Sequence, residues 1–354
     1  MAFSPQNRVG TISGIIFVAI FASAATYIAG LKPVHALGLS PLVIGIVMGI
    51  FYANTLHNHI PKEWERGITF SGKKILRFAI VIYGFRITFQ QIAEVGLAGF
   101  LVSVIMLSTT FLLGTWLGHK IFGMEKDTSM LTASGASVCG AAAVLATEPV
   151  LKSEEYKAAI AVSMVVLFGT ISMFLYPILY ASIIEPATGF LHMTPEQFGI
   201  YVGGTIHEVA QVVAVPASIP NSPEVMANSA VIVKMTRVIM IAPMLIILGI
   251  YLSYTSKKEG NSTNGVKLVI PWFAVYFIAV AGFNSFHLIP ENIVNTINII
   301  DTFLLTMAMS ALGMATRFSK FKGLGLSPIY TALGMFIWLV IGGFIITKMV
   351  TSVV

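Results

Sequence analysis

The feature that most constrains this chain is a succession of apolar stretches, each long enough to cross a bilayer, joined by connections too short to hold a soluble domain. Some 20 apolar residues span the hydrocarbon core as a helix, and inside lipid every backbone polar group needs an internal partner. About eleven such segments can be read: residues 11–31, 39–56, 67 or 72 to 91, 96–122, 128–147, 156–184, 198–216, 226–254, 268–286, 293–316 and 327–350. The expected fold class is therefore all-α integral membrane. Charged residues make up 10% of the chain, against about 25% in soluble domains. The triplet Ala22–Ala24 reads as a signal-peptidase site, but the apolar run continues to Leu31, so the first segment is expected to stay as a helix.

Several chemistries fall away early. The single cysteine, Cys139, excludes an internal disulfide framework and has no plausible metal partner. The net charge of +6 accompanies no basic tract with interleaved aromatics, so nucleic acid is not expected. His207-Glu208-Val209-Ala210-Gln211 lacks the second histidine of a zinc protease helix, because Gln211 stands there. Gly67 to Lys74 imitates a phosphate loop, yet Lys74 replaces the Ser or Thr that holds magnesium. No enzyme activity, metal or cofactor is expected.

Lysine and arginine set the orientation. Counted by alternate sides, thirteen loop cations fall with the amino terminus and four, Lys32, Lys152, Lys157 and Lys348, fall opposite. The amino terminus is expected in the cytoplasm and the carboxyl terminus outside.

The chain also repeats itself. Ser40-Pro41-x-x-x-Gly45-Ile46-x-x-Gly49 matches Thr194-Pro195-x-x-x-Gly199-Ile200-x-x-Gly203, and Lys74-x-x-Arg77 matches Lys234-x-x-Arg237. Two five-helix units follow, residues 39–184 and 185–354, after an extra helix in residues 1–38. Five is odd, so the second unit enters from the other side, an inverted repeat.

Ser134 to Ala143 reads S-G-A-S-V-C-G-A-A-A, and only Val138 has bulk. Such residues offer lipid little, so the stretch is expected to touch protein or a ligand, either as plain close packing or as an interrupted helix lining a site. Ser310 to Ala315 is the small-rich counterpart in the second repeat.

Four cations remain inside the apolar segments: Arg77, Arg86, Lys234 and Arg237. Each costs roughly 2.5 to 3.5 kcal/mol at the bilayer centre on the insertion scale, so something must compensate. Arg77 and Arg86 have routes to an interface by extending along their helix. Lys234 and Arg237 lie deeper, on one face. Glu208 and Asp301 are the available buried acids, which leaves an excess of positive charge that an anion would balance. His207 and Glu208 could couple proton movement to transport, or simply hold the basic residues in place.

The strings S-G-A-S-V-C-G-A-A-A, G-G-T-I-H-E-V-A-Q-V-V-A (Gly203 to Ala214) and K-M-T-R-V-I-M-I-A-P (Lys234 to Pro243) resemble the YeiH-type family of bacterial inner-membrane proteins, described as sulfate exporters. The resemblance covers nearly the whole chain. It implies a two-repeat fold similar to sodium/proton antiporters and bile-acid transporters, with two crossing discontinuous helices around Ser134–Ala143 and Ser310–Ala315, and a homodimer. Antiporters of that fold carry a carboxylate pair at the crossing, whereas Asp and Glu are absent between Asp127 and Glu148. That departure agrees with an anion.

The expectation is thus a secondary transporter of sulfate, sulfite or a sulfonate, coupled or not to a proton or sodium. Ser134, Ser137, Cys139, Gly140 and Ser310 would line the site. Arg77, Lys234 and Arg237 would supply the field, and His207 and Glu208 would orient or protonate. The alternatives are a sodium/proton antiporter using Glu208 and Asp301, and a non-transporting receptor or scaffold.

Overall fold

A computed structural model describes residues 4, 7–31, 34, 40–56, 60–258, 272–317, 319 and 325–354. Lys32, Lys267, Lys320 and Lys322, used in the orientation count, lie outside these. In chain order the helices are α1 (Arg8–Ala29), α2 (Pro41–Thr55), α3 (Glu65–Phe70), α4 (Leu76–Tyr83), α5 (Phe89–Trp116), α6 (Lys126–Ser137), α7 (Ala141–Leu151), α8 (Glu155–Leu179), α9 (Pro195–Thr205), α10 (Val209–Ala217), α11 (Glu224–Ile239), α12 (Ile241–Lys258), α13 (Trp272–Asn284), α14 (Glu291–Ala315), α15 (Leu326–Ile337) and α16 (Gly343–Val353). Wider π turns join α3 to α4 and α15 to α16, so each pair reads as one longer rod. Among the described residues six helical stretches are long and apolar enough to cross a membrane, and α2, α7 and α13 are shorter apolar helices.

The chain packs as two units. The first comprises Met1–Ile92, Val213–Ala227 and Phe273–Lys322; the second Ala93–Val212, Asn228–Trp272 and Gly323–Val354.

In the first unit, glycines let backbones touch. A Cβ on Gly49 would lie 2.4 Å from the Ser310 carbonyl oxygen, and one on Gly313 would lie 2.3 Å from that of Ile46, so α2 and α14 lie side by side at backbone contact. Gly14 and Gly67 do the same for α1 and α3. Ala22, inside the triplet that reads as a cleavage site, is fully buried in α1. Helix α14 runs without interruption through Ser310 to Ala315. The expectation of a discontinuity there is corrected: the small residues serve close packing against α2.

The second unit has two recognisable ends. At one, Lys157 pairs with Glu125 at 2.6 Å, Phe122 meets Tyr330, and Lys126 lies over the Tyr251 ring. At the other, the Lys348 ammonium donates to the His192 carbonyl and Tyr180 packs on Phe198. These contacts fix directions. Helix α8 runs from the first end to the second, and α11–α12 run the opposite way.

The segment 128–147, expected to cross the membrane, instead folds back. Both α6 and α8 start at the first end, joined by α7, and a Cβ on Gly135 would lie 2.8 Å from the Val144 side chain nine positions later. An unbroken helix would separate those residues by about 13 Å. Leu131, Val144, Ala158, Ala161 and Val165 form one core cluster, which places α7 antiparallel to α6. The two make a hairpin.

The segment 198–216 is interrupted as well, at Ile206–Glu208 between α9 and α10, and Gly203 of α9 sits against Ala230 and Val233 of α11. The two discontinuous segments fall fourth in the first proposed repeat and first in the second, so they are not at the equivalent places expected.

Candidate functional site

The tips of the two interrupted segments meet. The first is Val138-Cys139-Gly140. Helix α6 ends in small residues, and Gly140 adopts φ 72°, ψ −136°, a conformation essentially reserved for glycine. The Gly140 N–H closes the turn on the Gly135 carbonyl at 2.9 Å. The second tip is Ile206-His207-Glu208, where Ile206 is extended (φ −73°, ψ 146°). The Glu208 N–H donates to Gln211 Oε1 at 3.1 Å, so the Gln211 amide folds over the amino terminus of α10. Across the tips, a Cβ on Gly140 would lie 2.5 Å from Glu208 Cγ and 3.1 Å from its Oε1. The carboxylate thus rests on the glycine.

Helix α11 pins both tips. Lys234 is fully buried, and its ammonium donates to the carbonyls of Val138 (2.7 Å), Ile206 (2.7 Å) and His207 (2.6 Å). All three of its hydrogens are used. Arg237, also fully buried, donates to Gly203 at 3.4 Å, to Ala136 at 3.3 Å and to the Ser137 carbonyl. These oxygens are the last carbonyls of α6 and α9, which have no intrahelical partner and carry the negative end of each helix. Two cations one turn apart on α11 therefore meet two helix carboxyl termini. Backbone oxygens thus compensate much of the charge that the sequence left to an anion.

The same arrangement leaves the opposite polarity facing the gap. Helices α7 and α10 begin at the tips, with the unpaired N–H groups and partial positive charge of a helix start. Around them, Gln211 Nε2, Arg237 Nε and His207 Nδ1 are buried and lack hydrogen-bond partners among the described residues. Gln211 is held there by Gly169 of α8, where a Cβ would lie 2.3 Å from Gln211 Oε1. Sequence reasoning missed both as site residues. Gln211 was weighed only as a failed zinc ligand, and Gly169 carries no local signal.

The other expected site residues are distributed as follows. The hydroxyls of Ser134, Ser137 and Ser310 turn back onto carbonyls of their own helices (Leu131 at 2.8 Å, Ser134 at 3.3 Å, Thr306 at 2.9 Å), so none points a hydrogen outward. Cys139 is buried and free at the first tip. In the first unit, Ser310 packs against Gly45 within the α2–α14 contact. Arg77 is exposed, its guanidinium 5.8 Å from the centre of the Phe273 ring, not buried as counted. Arg86 pairs with buried Asp301 at 3.2 Å and donates to the Asn298 carbonyl (2.6 Å) and the Thr302 hydroxyl (2.8 Å). The expected charge excess thus shrinks to Lys234 and Arg237 against Glu208. The view that no carboxylate stands where the discontinuous segments meet is also corrected, since Glu208 does. No cluster of metal-ligating side chains occurs among the described residues.

The profile of a family described as "Conserved hypothetical protein 698" matches residues 13–332. A UPF0324 membrane protein of Bacteroides thetaiotaomicron is 44% identical over 341 residues, covering 96% of this chain and 98% of the relative. One from Pseudomonas putida is 44% identical over 347 residues, covering 98% and 96%. The UPF0324 inner membrane protein YeiH of Escherichia coli is 46% identical over 343 residues, covering 97% and 95%. With such identity along nearly its full length, and with its stack of apolar helices, this chain belongs to the UPF0324 family of multi-pass membrane proteins.

Proposed function

We propose that this protein is a secondary transporter of a small oxyanion or sulfonate, such as sulfate or sulfite, which binds between the two tips. One observation carries the reading: where the tips meet, the buried Gln211 Nε2 and Arg237 Nε have no acceptor among the described residues. Helices α7 and α10 start beside these two groups, and the neighbouring carbonyls are already bonded to Lys234 and Arg237. A buried place rich in donors suits an anion. The two interrupted segments would act as the moving gates of alternating access. In this reading the amino terminus is cytoplasmic, and the repeat spans residues 39–184 and 185–354. The matching caps of Ser40 and Thr194, each accepting from the N–H three residues on and each followed by proline, support the repeat.

Glu208 favours a second reading, sodium/proton exchange. Its proposed partner Asp301 is, however, already engaged by Arg86. The test is a thermal-shift screen of the purified protein against sulfate, sulfite and methanesulfonate, followed by flux of the best ligand in proteoliposomes. Anion-dependent stabilisation and flux support the proposal. Proton movement driven by sodium with no anion present would replace it with the exchanger, and binding without flux would replace it with a receptor.

A further inference from the structure

Within the tips, Glu208 has an unusual position. Cys139, His207, Gln211, Lys234 and Arg237 are all buried, while Glu208 is only half-buried. Its carboxylate lies beside Gly140, directly at the start of α7, and the missing side chain of that glycine is what allows the approach. A carboxylate at a helix amino terminus is stabilised by the same N–H groups and dipole that would hold an oxyanion. Two anions cannot share that place, because like charges in a desolvated site cost several kcal/mol.

We propose that Glu208 is a tethered competitor for the transported anion. In the empty protein its carboxylate occupies the oxyanion position at the start of α7. The anion enters when Glu208 takes up a proton and yields that place. The proposal rests on the anion reading above and adds its coupling device: one proton accepted by the Glu208 carboxylate accompanies one anion bound. The charged and titratable groups near Glu208 include Lys234 on α11, Cys139 on the facing tip and His207 beside it in the chain. The Lys234 hydrogens are all committed to carbonyls, so the ammonium can stay fixed while the carboxylate moves.

The test is sulfate binding to the purified full-length protein, by thermal shift and isothermal titration, between pH 5.5 and 8.5. In the wild type, affinity should rise as pH falls, because protonation removes the competitor. Glu208→Gln should bind sulfate at least about tenfold more tightly at high pH and lose the pH dependence, the value of one charge-assisted hydrogen bond released. Glu208→Asp, shorter by one methylene but still ionisable, should keep the pH slope. Equal or weaker sulfate binding in Glu208→Gln overturns the proposal while leaving the anion site standing. A wild-type affinity independent of pH does the same, and needs no variant to fold. Absence of sulfate, sulfite and methanesulfonate binding in every protein, with each still folded by circular dichroism, overturns the anion reading and this one with it.

Discussion

At Lys234, a neutral side chain of similar length would leave three buried carbonyl oxygens without a donor. Lys234→Met is expected to cost about 3–5 kcal/mol, the range for breaking one side of a buried charged contact, and to appear as a lower midpoint in thermal unfolding in detergent even with no anion added. Gly140→Ala should cost about 1–3 kcal/mol from its backbone conformation alone, and more because the new methyl meets Glu208. The same unfolding measurement reads it, and Ala142→Gly, on the same helix, serves as control. The burial of Lys234 and Arg237 was legible in the sequence, because a charge ten residues inside an apolar run has few ways out. What neutralises them was not. A backbone carbonyl freed at the end of a helix leaves no mark in residue type, so an absent anion was the nearest explanation in sight. Serine hydroxyls misled for the complementary reason: in a helix their first recourse is the carbonyl of the preceding turn.

Among the elements, the interruptions were the hidden feature. A run of about 20 apolar residues reads the same whether it crosses once or goes in and out as two short helices, and the difference rests on a three-residue tip. The small-residue stretch at Ser134–Ala143 did mark one tip. Its counterpart at Ser310–Ala315 marked a close-packed continuous helix, since glycine and serine serve either purpose. The α6–α7 hairpin predicts same-side labelling. With Cys139 replaced by alanine, Asp127→Cys and Glu154→Cys should both react with a membrane-impermeant thiol reagent from one face. Labelling of Asp127→Cys and Glu154→Cys from opposite faces would show that the first segment crosses instead. In the α2–α14 contact, Gly49→Val forces a branched side chain into the Ser310 backbone. It should lower the unfolding midpoint more than Gly123→Ala, at a turn where nothing lies within 4 Å.

For the molecule as a whole, class and membrane residence were plain from apolar length and sparse charge. The repeat rests on short matches and one shared cap geometry, and with the segment 128–147 folded back its first half crosses four times rather than five, so the oddness that implied inversion is lost. Orientation is checked by fusions: a reporter that functions only in the cytoplasm should be active at the amino terminus and silent after Val354. Because one rigid helix carries both Lys234 and Arg237, the two interrupted segments share a single fastening. The ammonium has three hydrogens and spends them on both tips, so a tip that lifts away strands part of that donor set unless the other settles closer. Simultaneous release of both would leave two cations bare in the interior, the costliest arrangement available. For the proposed transporter that arrangement is a penalty against an open leak.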